Sequence, residues 1–309
     1  MAAANPWVVT DQACGTARSV AARQLRKRLR AVWKGLRAAC RVRHEPKSLH
    51  QLRVATRRTI AAFEAFEELV PGKKGRWFAK RLRRIRRAAG ETRDLDVLIP
   101  RLLANEPRQL AAGDARSWSQ LLSRLRKRHE RSRRPLRKLC SKLERDDWPG
   151  RVERLLKRVL AAETDESYAD FARRGLPPVL ERFFAQADRR LVAAEAVHQL
   201  RIEGKRLRYA IEVLGVALPR TVATAGLAAL EEMQESLGAF VDHAAAADRF
   251  RRLAREATGA DRRLLADLAS QEQGLADTAR KAFARWWTAA RRRSLRQRFE
   301  PQPRRGSRV

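Results

Sequence analysis

Apolar positions along the chain recur every three or four residues almost throughout. That spacing is the period of an amphipathic helix, in which one face is buried and the other is wet. Alternating runs of β-branched residues do not occur, and Ala, Leu, Arg and Glu, all good helix formers, dominate. The pattern predicts an all-α protein of roughly seven or eight long helices, over residues 16–43, 47–70, 73–99, 114–146, 168–195, 196–214, 221–257 and 260–292. Breaks are expected at Glu45-Pro46, Pro71-Gly72, Pro100, Pro107, Gly113, Trp148-Pro149-Gly150, Gly215 to Pro219 and Gly259. Pro177-Pro178 should interrupt or kink the fifth helix, because proline lacks the N–H that a helix interior needs.

Two of these helices carry the same peptide. His50-Gln51-Leu52-Arg53-Val54 returns as His198-Gln199-Leu200-Arg201-Ile202, an offset of 148 residues. Arg57-Arg58 matches Lys205-Arg206 at that offset, and Gly90 with Asp94 matches Gly238 with Asp242. One offset joining separate sites marks a duplicated unit. Counting four helices to each copy suits two four-helix bundles: a first half over 13–146, a connector over 147–167 and a second half over 168–292. Residues 1–12 look loose, and the basic segment 293–309 reads as a disordered tail.

Helical phase then sorts the charges. At about 100° per residue, His50, Arg53 and Arg57 share one narrow arc, and Leu49, Leu52, Ile60, Phe63 and Phe66 fill the adjoining one. In the second copy His198, Arg201, Lys205 and Arg208 share an arc beside Leu200, Leu207, Ile211 and Leu214. Two helices with the same basic arc can line two walls of one groove. Further rows run along other helices: Arg23, Lys27, Arg30, Lys34, Arg37 and Arg41 on the first, Arg76, Lys80, Arg83 and Arg87 on the third, and Arg124, Arg128 and Arg131 on the fourth. A charged row is most often a solvated face. Rows of one sign on several helices, with few acids in reach, point instead to a binding surface.

Composition sharpens this. Lys and Arg number 69 against 35 Asp and Glu, a formal charge of +34. Such an excess repels itself unless a polyanion offsets it. Arginine predominates, and its planar fork matches phosphate oxygens better than a lysine point charge does. Beside two cations, each motif histidine is disfavoured from protonating and would serve as a neutral hydrogen-bond partner; a bound anion reverses that preference.

Other chemistry is poorly supported. There is no GxxxxGK[ST], HExxH, CxxC or GxSxG, and no strand precedes a GxGxxG. The acidic row Glu231, Glu235 and Asp242 spans too much helix to ligate one ion and is expected to form salt bridges; Asp94 and Asp96 are expected to cap or to pair with arginine. The 7 tryptophans are scattered and do not interleave with the basic rows as a base-stacking platform would. Three cysteines, Cys14, Cys40 and Cys140, fit a reducing interior. No apolar run approaches the ~18–20 residues that span a bilayer, and the first residues show no signal pattern. A cytoplasmic protein is expected.

The residues also resemble a known family. Ser48-Leu49-His50-Gln51-Leu52-Arg53-Val54-Ala55-Thr56-Arg57-Arg58, followed by Gly90 and Arg93-Asp94-Leu95-Asp96-Val97, is similar to the first half of a CHAD protein (conserved histidine α-helical domain). Val197 to Ile202, Lys205 to Ala210 and Met233 to Gly238 resemble its second half, and the likeness covers about residues 15–290. The resemblance implies a pseudo-twofold between two four-helix bundles and a central basic cavity that binds inorganic polyphosphate. It assigns binding to His50, Arg53, Arg57 and Arg58, and to His198, Arg201, Lys205 and Arg206. The expectation is therefore a non-catalytic polyphosphate-binding or targeting module, without cofactor or metal, held at polyphosphate granules. Arg208 and the rows Arg23, Lys27, Arg30, Lys34, Arg37, Arg76, Lys80, Arg83, Arg87, Arg124 and Arg128 are expected as further lining. Nucleic-acid binding is the competing reading, then a polyphosphate-processing enzyme.

Overall fold

A computed structural model describes Trp7 and residues 15–41, 46–104, 112–191 and 193–299. Those residues form helices and no strand. The described residues divide into two compact units, one within 15–165 and 243–274, the other within 166–242 and 275–299.

The larger unit begins with α1 (Ala17–Ala39), α2 (Pro46–Ala65), a 3₁₀ turn over Glu67–Leu69, α3 (Gly72–Ala88), α4 (Gly90–Ala104), α5 (Ala112–Ser132), α6 (Arg134–Arg145) and α7 (Trp148–Leu160). Val20, Leu25, Leu29, Val32 and Leu36 bury the inner stripe of α1. Each such side chain contributes roughly 1.5–3 kcal/mol when fully buried. Gly35 lets α2 come close: a Cβ there would lie 3.5 Å from the Leu52 Cα.

Helix α7 lies inside the stretch expected as a connector. Its apolar stripe, Val152, Leu155, Leu156 and Val159, is buried, and it packs on α1. Asp147 starts it in a left-handed conformation (φ 53°), and its carboxylate accepts the Gly150 N–H at 3.0 Å. Pro149 sits in the first turn, where a missing N–H costs nothing.

The remaining core of this unit departs from a division into sequence halves. Leu95, Leu98 and Leu102 of α4 and Trp118, Leu121 and Leu125 of α5 bury themselves against Ala246, Phe250, Leu265 and Leu268. These last four belong to α12 (Gly238–Glu256) and α13 (Gly259–Trp286), which were expected within a second half of 168–292. Periodicity shows that each stripe must be covered; it does not show by which partner.

The other unit holds α8 (Tyr168–Gly175), α9 (Pro177–Ala187), α10 (Ala194–Leu214), a 3₁₀ turn over Gly215–Ala217, α11 (Arg220–Ser236) and α14 (Ala289–Gln297). The Pro177-Pro178 pair divides α8 from α9, as its chemistry requires. Phe183, Leu200, Leu207, Ile211 and Met233 are fully buried, and the buried Tyr168 hydroxyl donates to the Val213 carbonyl. The segment expected as a disordered tail from residue 293 is ordered as far as Phe299. Leu295 and Phe299 are buried, Phe299 lying against Gly226. Arg291 pairs with Glu232 at 3.2 Å and Arg296 with Asp188 at 2.5 Å. Two apolar residues one helical turn apart anchor an otherwise basic segment. Residues 300–309, residues 1–6 and 8–14 with Cys14, and the Pro107 break lie outside the described residues.

The helix bounds follow the 148-residue offset. The turn at 67–69 returns at 215–217, α3 at 72–88 returns as α11 at 220–236, and Gly90 and Gly238 each open a helix. Those glycines correct the expected single helices 73–99 and 221–257, each of which is two. Pro100, expected as a break, lies inside α4. The stretch 114–146 divides at Arg133, because Pro135 begins a new helix. No helix among the described residues is long and apolar enough to cross a membrane.

Candidate functional site

The first motif copy lies on α2. Leu49, Leu52, Thr56, Thr59 and Phe63 are buried. The two threonine hydroxyls donate back to the Arg53 and Ala55 carbonyls at 2.8 and 2.7 Å, so their burial leaves no hydroxyl unsatisfied. This buried stripe fixes the rotation of α2. It leaves His50 exposed and Arg53, Arg57 and Arg58 half-buried at the core margin.

Arg53 reaches across to α3, where Nη1 donates to the Arg86 backbone carbonyl at 3.1 Å. The break between α3 and α4 makes the room: a Cβ on Gly90 would lie 3.9 Å from that nitrogen. Burial holds the Arg53 guanidinium below its ordinary pKa, and the nearby charge of Arg57 adds to the effect, while Asp94 opposes it. Arg86 is depressed in the same way, by burial and then by Arg57, Arg83 and Arg87. Guanidinium stays protonated at neutral pH even so. Arg53, Arg57, Arg83, Arg86, Arg87 and Arg93 therefore crowd six like charges against two carboxylates, Glu64 and Asp94, and Asp94 already accepts from Arg249 at 2.5 Å. Such a group gains stability from an anion that enters it.

Arg76, Lys80, Arg83 and Arg87 are exposed along α3, and none is in an ion pair among the described residues. Helical phase singles out Arg83 and Arg87 but not Arg86 or Arg93. Arg93 stands beside the recurring Gly90 and Asp94, and that was the available signal.

Other expected lining residues are engaged elsewhere. Arg124 pairs with Asp261, and Arg128 bridges Glu91 and Glu256 at 2.8 Å each. The hydrogen bond to Glu91 raises the Arg128 pKa. These two arginines tie α5 to α4, α12 and α13 and are not open cations. On α1, Arg23, Lys27 and Lys34 are exposed, as is Arg41 just beyond its end, but Arg30 lies 3.6 Å from Glu153 and Arg37 3.9 Å from Glu144. That row faces the acids of α6 and α7. The charges that act most on Arg53 and Arg86 come from α2, α3 and α4.

The second copy, on α10, repeats the layout with less free charge. Val197, Leu200, Leu207 and Ile211 are buried, His198 is exposed, and Arg201, Lys205 and Arg208 are half-buried. Arg206 pairs with Glu203 at 2.5 Å, so it is not an open cation. The Arg208 guanidinium lies 5.1 Å over the Tyr209 ring. Glu231 and Glu235 stand where the first copy has Arg83 and Arg87. They and Asp242 are exposed, and none is in an ion pair among the described residues, contrary to the expected salt bridging. Asp94 pairs with Arg249 as expected, whereas Asp96 meets His129 at 2.8 Å and, among the described residues, neither caps a helix nor pairs with arginine.

A family model for the CHAD domain matches residues 20–251. Among solved structures the fold is similar to the CHAD domain from the plant Ricinus communis, with a TM-score of 0.68 and 22% identity over 88% of this chain and 92% of that one. It is also similar to PptA from Streptomyces chartreusis, with a TM-score of 0.64 and 17% identity over 88% of this chain and 99% of the other. At these identities the likeness is one of fold. No curated protein matches. The family model spans most of the sequence and includes both histidine motifs, and on that ground this chain belongs to the CHAD domain family.

Proposed function

We propose that this protein binds inorganic polyphosphate without turning it over, and that the arginine cluster of α2, α3 and α4 is a principal contact. One observation carries the reading: Arg57, Arg86 and Arg93 press on Arg53, and Arg57, Arg83 and Arg87 press on Arg86, against two carboxylates, Glu64 and Asp94, the second of which Arg249 already occupies. Polyphosphate repeats one charged unit, so recognition requires density of charge and no reading of bases. Arginine forks and the exposed His50 imidazole hydrogen-bond phosphate oxygens, and the polymer's released counterions add a salt-dependent gain. His198, Arg201 and Lys205 offer a second, weaker set of contacts. On this reading the protein is a cytoplasmic binding or targeting module that accumulates with polyphosphate granules, and it needs no cofactor.

The test is a titration with long-chain polyphosphate, triphosphate, single-stranded DNA and heparin of matched charge at two salt concentrations. Polyphosphate should bind more tightly than DNA at about 0.15 M salt, where loose surface attraction is screened. Equal affinity for both polymers would leave a generic polyanion binder.

A further inference from the structure

A second cationic feature of the larger unit lies away from the histidine motif. The start of α3 and the first half of α7 flank an open cavity of about 350 Å³ walled by Lys73, Lys74, Trp77, Phe78, Arg151 and Arg154. Small-molecule sites occupy roughly 300–1,000 Å³. Four of the six wall residues are cations and none is acidic, although Arg154 Nη2 is already shared with Asp147 Oδ2 at 3.1 Å.

The wall is preorganised. The Arg151 guanidinium lies 4.8 Å from the Trp77 ring centre and that of Arg81 4.4 Å. Arg151 Nε also donates to the Asp146 carbonyl at 2.7 Å, which fixes the direction of its fork. Lys74 Nζ donates to the Arg154 carbonyl at 3.4 Å. Trp77 is itself held edge-on by Phe78 at 4.9 Å and tilted against Trp148 at 6.1 Å. Stacked guanidinium loses less freedom on meeting an anion than a free side chain does.

The cavity thus offers two kinds of surface, aromatic carbon and fixed cations. A bare phosphate chain would use only the second. A nucleoside phosphate uses both, its base and sugar against the ring edges and its phosphates on the cations. We propose that this cavity binds a nucleoside di- or triphosphate, with Trp77 beside the base and Lys73, Lys74 and the stacked Arg151 on the phosphates.

The site is separate from the arginine cluster. Trp77 and Arg86 are nine residues apart on α3, about 14 Å along the helix and half a turn around it. It also stands outside the duplication, because Lys73, Lys74 and Trp77 correspond to Thr221, Val222 and Ala225, which carry neither charge nor ring.

The experiment titrates the whole protein with ATP, tripolyphosphate and adenosine, reading tryptophan fluorescence and heat. The variants are Lys73→Ala with Arg151→Ala, Trp77→Phe, and Arg53→Ala with Arg57→Ala. ATP should bind at least about tenfold more tightly than tripolyphosphate at about 0.15 M salt, a difference of one decade in Kd. The Lys73/Arg151 variant should lose about that much ATP affinity, and the Arg53/Arg57 variant should keep it while losing long-chain polyphosphate. Trp77→Phe, which conserves an aromatic wall, should bind ATP with a smaller fluorescence change. ATP binding that matches tripolyphosphate, or that is lost only in the Arg53/Arg57 variant, would overturn the proposal. Either result would mean that ATP is read as a mere polyanion. Long-chain polyphosphate binding to the same variants reports separately on the arginine cluster.

Discussion

Arg53 Nη1 donates to the backbone carbonyl of Arg86 at 3.1 Å, joining the first histidine motif to the last turn of α3. A helix C-terminus carries partial negative charge on its free carbonyls. The contact therefore holds one edge of the fork while the guanidinium keeps further N–H donors for a ligand. Placed between Arg57 and Arg86, this fork is fixed before any anion arrives.

Replacing Arg53 and Arg57 together by alanine should weaken polyphosphate binding. Each well-formed charge-assisted contact is worth roughly 1.5–3 kcal/mol, so a loss of at least about tenfold is expected. The slope of log affinity against log salt should become shallower, since fewer counterions are displaced. Thermal stability should hold or rise, because like charges are removed. An unchanged affinity in calorimetry would refute the assignment.

Arg124→Ala with Arg128→Ala should do the opposite. These side chains tie helices together through Asp261, Glu91 and Glu256. Both are partly exposed, so each tie is worth about 1 kcal/mol or less. The melting temperature should fall by a few degrees and polyphosphate affinity should stay the same. Loss of affinity with unchanged melting would return both residues to the binding surface.

Incubation of the pure protein with polyphosphate and Mg²⁺ should release no orthophosphate above a blank. His50 is exposed, and within the larger unit arginines crowd the same helix. Release that disappears in His50→Ala or His198→Ala would establish chemistry in place of binding.

Asp147 should make stability respond to acid. Its carboxyl is held below the usual value of 3.8, first by the Gly150 N–H and then by Arg154. A pKa depressed in the folded state means that the ionised cap stabilises above the unfolded value and is lost as pH falls through the folded one. Asp147→Asn, which still tolerates the left-handed conformation, should lower the melting temperature at pH ~7, and the gap to the parent protein should close as pH falls below ~4. A gap that stays constant to strong acid would show that the charge of the cap is irrelevant.

Cys40 should resist alkylation in the folded protein. Burial, followed by the neighbouring Cys140, pushes its thiol up to about 12. Little of the reactive thiolate then exists at neutral pH. Peptide-resolved mass spectrometry after iodoacetamide treatment should find Cys40 labelled slowly in native buffer and quickly in denaturant. Rapid native labelling would contradict the buried setting.

Much of this molecule is local in origin, and local features are legible in sequence. The apolar period gave helices, the His50/His198 repeat gave the offset that the helix bounds follow, and Pro177-Pro178 gave a break. The same repeat held the break at Gly90 and Gly238, but an uninterrupted apolar period concealed it. Phase placed Arg53 and Arg57 at the core margin because that depends only on the stripe beside them. What the larger unit does with its charges was not legible. Arg124 and Arg128 look like Arg83 and Arg87 along their helices, yet the first pair meets carboxylates more than thirty residues away and the second does not. The covering of α4 and α5 by Phe250 and Leu265, and the cavity beside Trp77, likewise join segments far apart in the chain. A helix specifies its own rotation through the side chains it must bury. The identity of the surface that buries them is a property of the packed whole, and there only the tertiary structure decides.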